Sequence, residues 1–267
     1  WLLQGALVGL AGWALAGSLE ASWPLGSRLM VSLLAAVLAW APTASPMAPG
    51  YWYSDELPAG ASTPATAPVR RGWDGSAEAL LYGQAAHVER AVAALERGVP
   101  GVVDTFVVAL GGDAGEDVFR NEVEYALSLF AHRFGAEGRM LGLLNHPDTT
   151  ERYPIASRST LRQALAGVAT RMDREEDLLL LFLSSHGSED QALELVFEPL
   201  PLDPLRPGDL RAALDDAGIG WRVVIASACY SGGFVDALAE PGTLVISAAR
   251  RDRPSFGCGV DSEITYF

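Results

Sequence analysis

Lysine is absent from all 267 residues. The chain therefore has no Schiff-base amine and no P-loop lysine, which excludes imine chemistry and Walker-type nucleotide binding. Positive charge is scarce altogether: 19 basic residues face 33 acidic ones, for a formal net charge of -14 and a sequence pI of about 4.6. Phosphate backbones are bound by basic faces, so nucleic acid is not an expected partner. Cysteine is nearly absent too. Cys229 and Cys258 are the two present, too few for a disulfide framework. No Gly-x-Ser-x-Gly elbow occurs, which removes the usual serine hydrolase. His146 and Asp148 have no third metal ligand beside them, and turn chemistry accounts for the Asn-His-Pro-Asp run. No metal and no other cofactor is expected.

Apolar residues are abundant, at 49% of the chain, and mean hydropathy is +0.19. Residues 1–19 are apolar except for Gln4 and Ser18, and a second uncharged run covers 29–41. The first approaches the roughly 20 residues a membrane helix needs, and Trp13, Trp23 and Trp40 suit interfacial positions. The two are expected to form a transmembrane hairpin over residues 1–41, in contact with membrane lipid. The bland alternative is an apolar hairpin packed on the following domain. A signal peptide fits worse, because two segments occur and no basic region precedes them. Arg28 in the connector favours a cytoplasmic connector under the positive-inside rule, which places the large domain outside the cytoplasm. Residues 42–75 are rich in Pro, Ala, Ser and Thr, the composition of an extended linker.

From residue 76 to 267 helical and strand patterns alternate. Helices are predicted over 76–97, 116–134, 159–172 and 207–217, with a further helix starting at 234. Strands are predicted over 102–110, 139–145, 178–183, 221–226 and 242–247, with a short extra strand at 191–197. This βαβα alternation predicts a mostly parallel sheet with helices on both faces.

Two strands stand out. Leu178-Leu179-Leu180-Leu181-Phe182-Leu183-Ser184-Ser185-His186-Gly187 and Val223-Val224-Ile225-Ala226-Ser227-Ala228-Cys229-Tyr230-Ser231-Gly232-Gly233 share one design. Each is an apolar run, then small residues, then a reactive side chain near glycine. Uninterrupted apolar runs suit strands buried on both faces. Sites in such sheets form beyond the carboxyl ends of the strands. His186 and Cys229 would then share one edge, where an imidazole can activate a thiol. Either residue alone is more often structural, since buried cysteine is common. Together, each at a strand end, they point to catalysis.

These residues resemble the legumain-like cysteine peptidases, peptidase family C13, in their bacterial membrane-tethered branch. The resemblance rests on His186-Gly187-Ser188 and Ser227-Ala228-Cys229-Tyr230-Ser231-Gly232-Gly233. It extends to Asp117-Val118-Phe119-Arg120-Asn121-Glu122-Val123, Ser247-Ala248-Ala249-Arg250 and Ser255-Phe256-Gly257-Cys258-Gly259. It implies a caspase-like three-layer α/β/α sandwich preceded by N-terminal transmembrane helices. The activity implied is a membrane-anchored cysteine endopeptidase working through a thioester acyl-enzyme on a peptide or protein substrate. The alternatives are a transamidase with the same acyl-enzyme and an inactive caspase-like binding module. Cys229 and His186 are the implied catalytic pair, and the N–H groups of Gly187 and Cys229 the oxyanion donors. Arg120, Ser227, Ser247 and Asp252 are the implied substrate-binding residues, with Asn and Asp both open as the residue before the cut.

Two departures from the family pattern matter. Ser227 stands where Asn-cleaving members carry an acid. Val118 stands where they carry the asparagine that orients the histidine, so a bare dyad is expected. The chain opens on Trp1 without methionine and stops at Phe267 inside a family motif, so both ends are expected to continue. The implied location is the bacterial inner membrane, with the peptidase domain on the periplasmic side.

Overall fold

The computed structural model describes residues 73–255, all within the unit Thr66–Phe267. The apolar stretches of residues 1–41, the linker up to residue 72 and Cys258 lie outside the described residues. Among the described residues no helix is long and apolar enough to cross a membrane.

The elements run α1 (Ala77–Ala93), β1 (Thr105–Gly111), α2 (Asp117–Phe134), β2 (Met140–Leu144), α3 (Arg158–Ala169), β3 (Leu178–Ser184), α4 (Pro207–Ala217), β4 (Trp221–Ser227), α5 (Gly232–Leu238) and β5 (Thr243–Ser247), with one 3-10 turn at Pro147–Thr149. Local chemistry sets many of the ends. Ser76 caps α1 by accepting from the Ala79 N–H, and Ser157 and Thr160 form a capping box on α3. Pro207 opens α4, where its missing N–H costs nothing, and Gly218 closes it at φ 65°.

The five strands form one parallel sheet in the order β2-β1-β3-β4-β5. The chain moves one way from β1 to β2, then crosses back past β1 and continues the other way. Right-handed crossovers put the helix of the first move on one face and the later helices on the opposite face. The contacts agree. Helix α2 packs on β1, β2 and β3, while α1, α3, α4 and α5 contact one another in sequence, with α5 on β5. The described residues thus form the α/β/α layering expected.

Strand side chains divide accordingly. Phe106, Val108, Leu110, Leu179, Leu181, Leu183 and Val224 join one core with Leu161, Leu165, Leu210 and Leu214 from the larger helical layer. The alternate positions face α2: side chains grown on Gly111 and Gly142 would meet Val123 and Leu127. Because both faces are covered, β1 is buried at every position. Burying an apolar side chain of this size contributes about 1.5–3 kcal/mol.

The sheet's amino end is held by charge. Asp177, just before β3, accepts from the Asp104 N–H at 2.8 Å and the Asp173 N–H at 2.7 Å. Asp104 in turn pairs with Arg139 at 3.0 Å. Arg222 on β4 is buried and pairs with Glu240, with Asp215 at 3.7 Å. Its charge is disfavoured by burial, which pulls its pKa below the ordinary arginine value against the pull of Asp215.

One expectation fails locally. Residues 191–197 form no strand; Leu193, Val196 and Phe197 make isolated bridges only. The segment turns back over the sheet edge, so each residue finds a different partner. On α1, Leu81 and Ala85 are exposed and Gln84 is buried instead. Gln84 is inward because its side-chain oxygen accepts from the Ile155 N–H at 2.8 Å.

Candidate active site

The parallel register pairs Ser184 with Ser227 as the last residues of β3 and β4. His186 and Cys229 each lie two residues beyond that pair. Ser185 N–H donates to the Ser227 carbonyl at 3.3 Å, so the two chains remain joined past the strand ends. The closest approach is at Gly187. A Cβ there would lie 1.8 Å from the Cys229 carbonyl oxygen and 3.0 Å from its nitrogen. Only glycine lets the histidine loop and the cysteine loop meet this closely.

A third loop joins them from β1. Gly112 packs against the histidine loop, where a Cβ would meet the Glu194 carbonyl at 2.4 Å and the Ser185 hydroxyl at 2.5 Å. Val196 N–H donates to the Gly112 carbonyl at 2.7 Å. Buried Asn145, after β2, donates to the same carbonyl at 2.9 Å. The strand order reverses between β1 and β3, the switch point where open α/β sheets build their sites.

His186 is 37% exposed at its side chain, and its Nε2 lies 3.0 Å from a carboxylate oxygen of Glu116. Phe119 meets the imidazole edge-on, with ring centroids 5.0 Å apart and planes at 81°. The histidine therefore has an acidic partner. Val118 is itself buried, so a polar orienting group at that position would be turned into the core. The acid comes from two residues earlier, at the entrance to α2. The readable signal was an acidic residue in the Gly-rich loop after the first central strand.

Cys229 is a half-buried thiol. Ser255 N–H donates to its sulfur at 3.3 Å, and the Ser255 hydroxyl lies at 3.5 Å. Tyr230 follows with φ 56°, a left-handed turn that leads from the strand into α5. Its N–H donates to the Arg253 carbonyl at 3.0 Å. Desolvation, then the neighbouring Glu189 carboxylate, push the Tyr230 phenol above its ordinary value. Helix α5 has only seven residues, so its dipole gives less help to Cys229 than a long helix would.

The remaining candidates take different places. Ser227 is buried at the end of β4. Ser247 ends β5, half-buried and paired with Ala226. Arg120 donates to the Asn121 side-chain oxygen at 3.2 Å and pairs with Asp117 at 3.6 Å. His146 lies beside it. His146 Nδ1 accepts from the Asp148 N–H at 3.2 Å, so Nε2 carries the hydrogen and donates to Asp117 at 2.9 Å. Asp252 pairs with Arg250 at 3.1 Å. Arg120 and Asp252 thus have separate ionic partners. Among the described residues no group of three or more His, Cys, Asp or Glu side chains could hold a metal ion.

The described residues form a parallel α/β/α sandwich with a thiol and an imidazole just beyond the ends of adjacent strands. Residues 160–267 match the Peptidase C13 family. The match includes His186 and Cys229 and supports a cysteine peptidase or a related function. No curated protein matches the chain.

Proposed function

We propose that this chain is a cysteine endopeptidase in which Cys229 is the nucleophile and His186 the base. The carrying observation is the seating of Gly187 against the backbone of Cys229. It supports a shared reaction centre for the two loops. In this reading the thiol proton passes to His186 as sulfur bonds to the peptide carbonyl carbon. The N–H groups of Gly187 and Cys229 face the oxyanion, a contribution of about 3–4 kcal/mol per donor in comparable sites. Breaking the C–N bond sends the proton from His186 to the leaving amine and leaves a thioester. Water, activated by the same imidazole, then hydrolyses it.

Arg120, Ser227, Ser247 and Asp252 are proposed to line the pocket for the residue preceding the cut, with Asn and Asp as candidates. The apolar stretches of residues 1–41 support anchoring in a membrane, with the peptidase domain on the outer side. Cys229→Ala is expected to abolish both peptide turnover and labelling by an electrophilic Asn or Asp peptide probe. Persistence of either in that variant would refute the assignment.

A further inference from the structure

We propose that Glu116 is the positioning residue of this site, holding His186 with Nε2–H on its carboxylate and leaving Nδ1 to take the thiol proton. This inference rests on the Cys229–His186 reading above. It starts from an anomaly at the entrance to α2. Glu116 occupies the N-cap position, with φ -133° and ψ 131°, yet its side chain makes no capping bond to the 18-residue helix behind it. The carboxylate is instead directed across the site to an imidazole 70 residues later in the chain, at 3.0 Å. It is only 16% exposed there.

The surroundings limit what else the ring can do. Phe119, one turn into α2, holds its edge. The His186 carbonyl accepts from the Glu194 N–H at 2.9 Å, which pins the backbone. The loop that carries Glu116 is wedged on the histidine loop at Gly112, so the separation is set by backbone packing. A carboxylate accepts only, so the ring nitrogen facing it carries a hydrogen. In a neutral imidazole the lone pair is then on Nδ1. When the S–H bond breaks and an N–H bond forms at Nδ1, both nitrogens are protonated. The carboxylate then faces a cation, and the hydrogen bond becomes charge-assisted. Other acids nearby are engaged elsewhere: Glu189 bonds Tyr230, Asp190 pairs with Arg206, Asp117 pairs with His146, and Glu194 interacts with Arg206.

The test reads the thiolate directly, without a substrate. The alkylation rate of Cys229 by iodoacetamide is measured from pH 5 to 10 on the full chain, with peptide mapping to separate Cys229 from Cys258. Wild type, His186→Ala and Glu116→Gln are compared, with folding of each checked by circular dichroism. Near pH 6, where an ordinary thiol is protonated, Glu116→Gln is expected to react about tenfold more slowly than wild type, the effect of roughly one unit of charge stabilisation. Above pH 9 all three should converge. A purely structural role would lower the rate equally at every pH, and that result overturns the proposal. Identical profiles for wild type and Glu116→Gln, with His186→Ala shifted, also overturn it while sparing the dyad. Should His186→Ala match wild type, the dyad itself fails. The ring nitrogen resonances of His186, assigned by their loss in His186→Ala, provide an independent check. Wild type should show a protonated Nε2, and an Nδ1–H tautomer would refute the arrangement.

Discussion

The two ends of the sheet treat charge in opposite ways. At the amino end Asp104, Asp177 and Arg222 are almost inaccessible, each committed to a backbone donor or an opposite charge. At the carboxyl end His186 and Cys229 remain partly open, held from behind by Glu116 and Ser255. One arrangement pairs its buried charges, although the Nε atoms of Arg139 and Arg222 find no partner among the described residues. The other leaves both reactive side chains partly exposed. Charge at the amino end should therefore matter for stability, and charge at the carboxyl end for chemistry.

That contrast can be broken by substitution. The largest expected effect is at the nucleophile: Cys229→Ala should lower kcat/KM by about 10⁴-fold or more and leave thermal stability nearly unchanged. A large fall in Tm would mean that the carboxyl end is structural as well. Arg222→Met should do the reverse. It removes one of the two guanidinium partners of Glu240, which keeps Arg211, so the cost should be about 1–3 kcal/mol, the loss of a hydrogen bond to a charged group. Urea unfolding measures it, and unchanged stability would remove the amino-end charges from the account.

Gly187→Ala tests the seam between the two loops. The added methyl overlaps the Cys229 carbonyl, so the loops must part at a cost of about 1–3 kcal/mol. Turnover should fall far more than stability, and an active variant would show that close seating is unnecessary.

The smallest effect is a pH dependence at the amino end. Burial pushes the Asp177 carboxyl above its ordinary value of 3.8, outweighing the two backbone N–H groups it accepts. A group raised in the fold binds its proton more tightly there than in the unfolded chain. Its contribution is complete below the unfolded value and is lost as pH rises through the folded one. The unfolding free energy of wild type relative to Asp177→Asn should therefore decline across that window. A flat difference would show that the hydrogen bonds dominate.

Much of this architecture could be read from residue order. Residues 178–183 of β3 and 223–226 of β4 are apolar because parallel strands are covered on both faces. The inward face of α2 followed from the spacing of Val118, Phe119, Val123, Ala126, Leu127 and Phe130, all buried. Glu122 was not legible on that face. It is buried because it accepts from the Ser184 hydroxyl, a partner 62 residues away that no local pattern announces. Glu116 escaped for the same reason, since an acid before a helix reads as an ordinary N-terminal charge.

Residue order alone, through hydrophobic period and strand-end composition, was enough to settle the α/β alternation and to single out His186 and Cys229. These are local properties: periodicity of 2 or 3.6 and the small residues that let a backbone turn. The strand order, the seating of Gly187 on Cys229 and the reach of Glu116 to His186 were decided by folding. Each depends on distances between segments far apart in the chain, and those exist only once the crossovers have placed three loops on one edge.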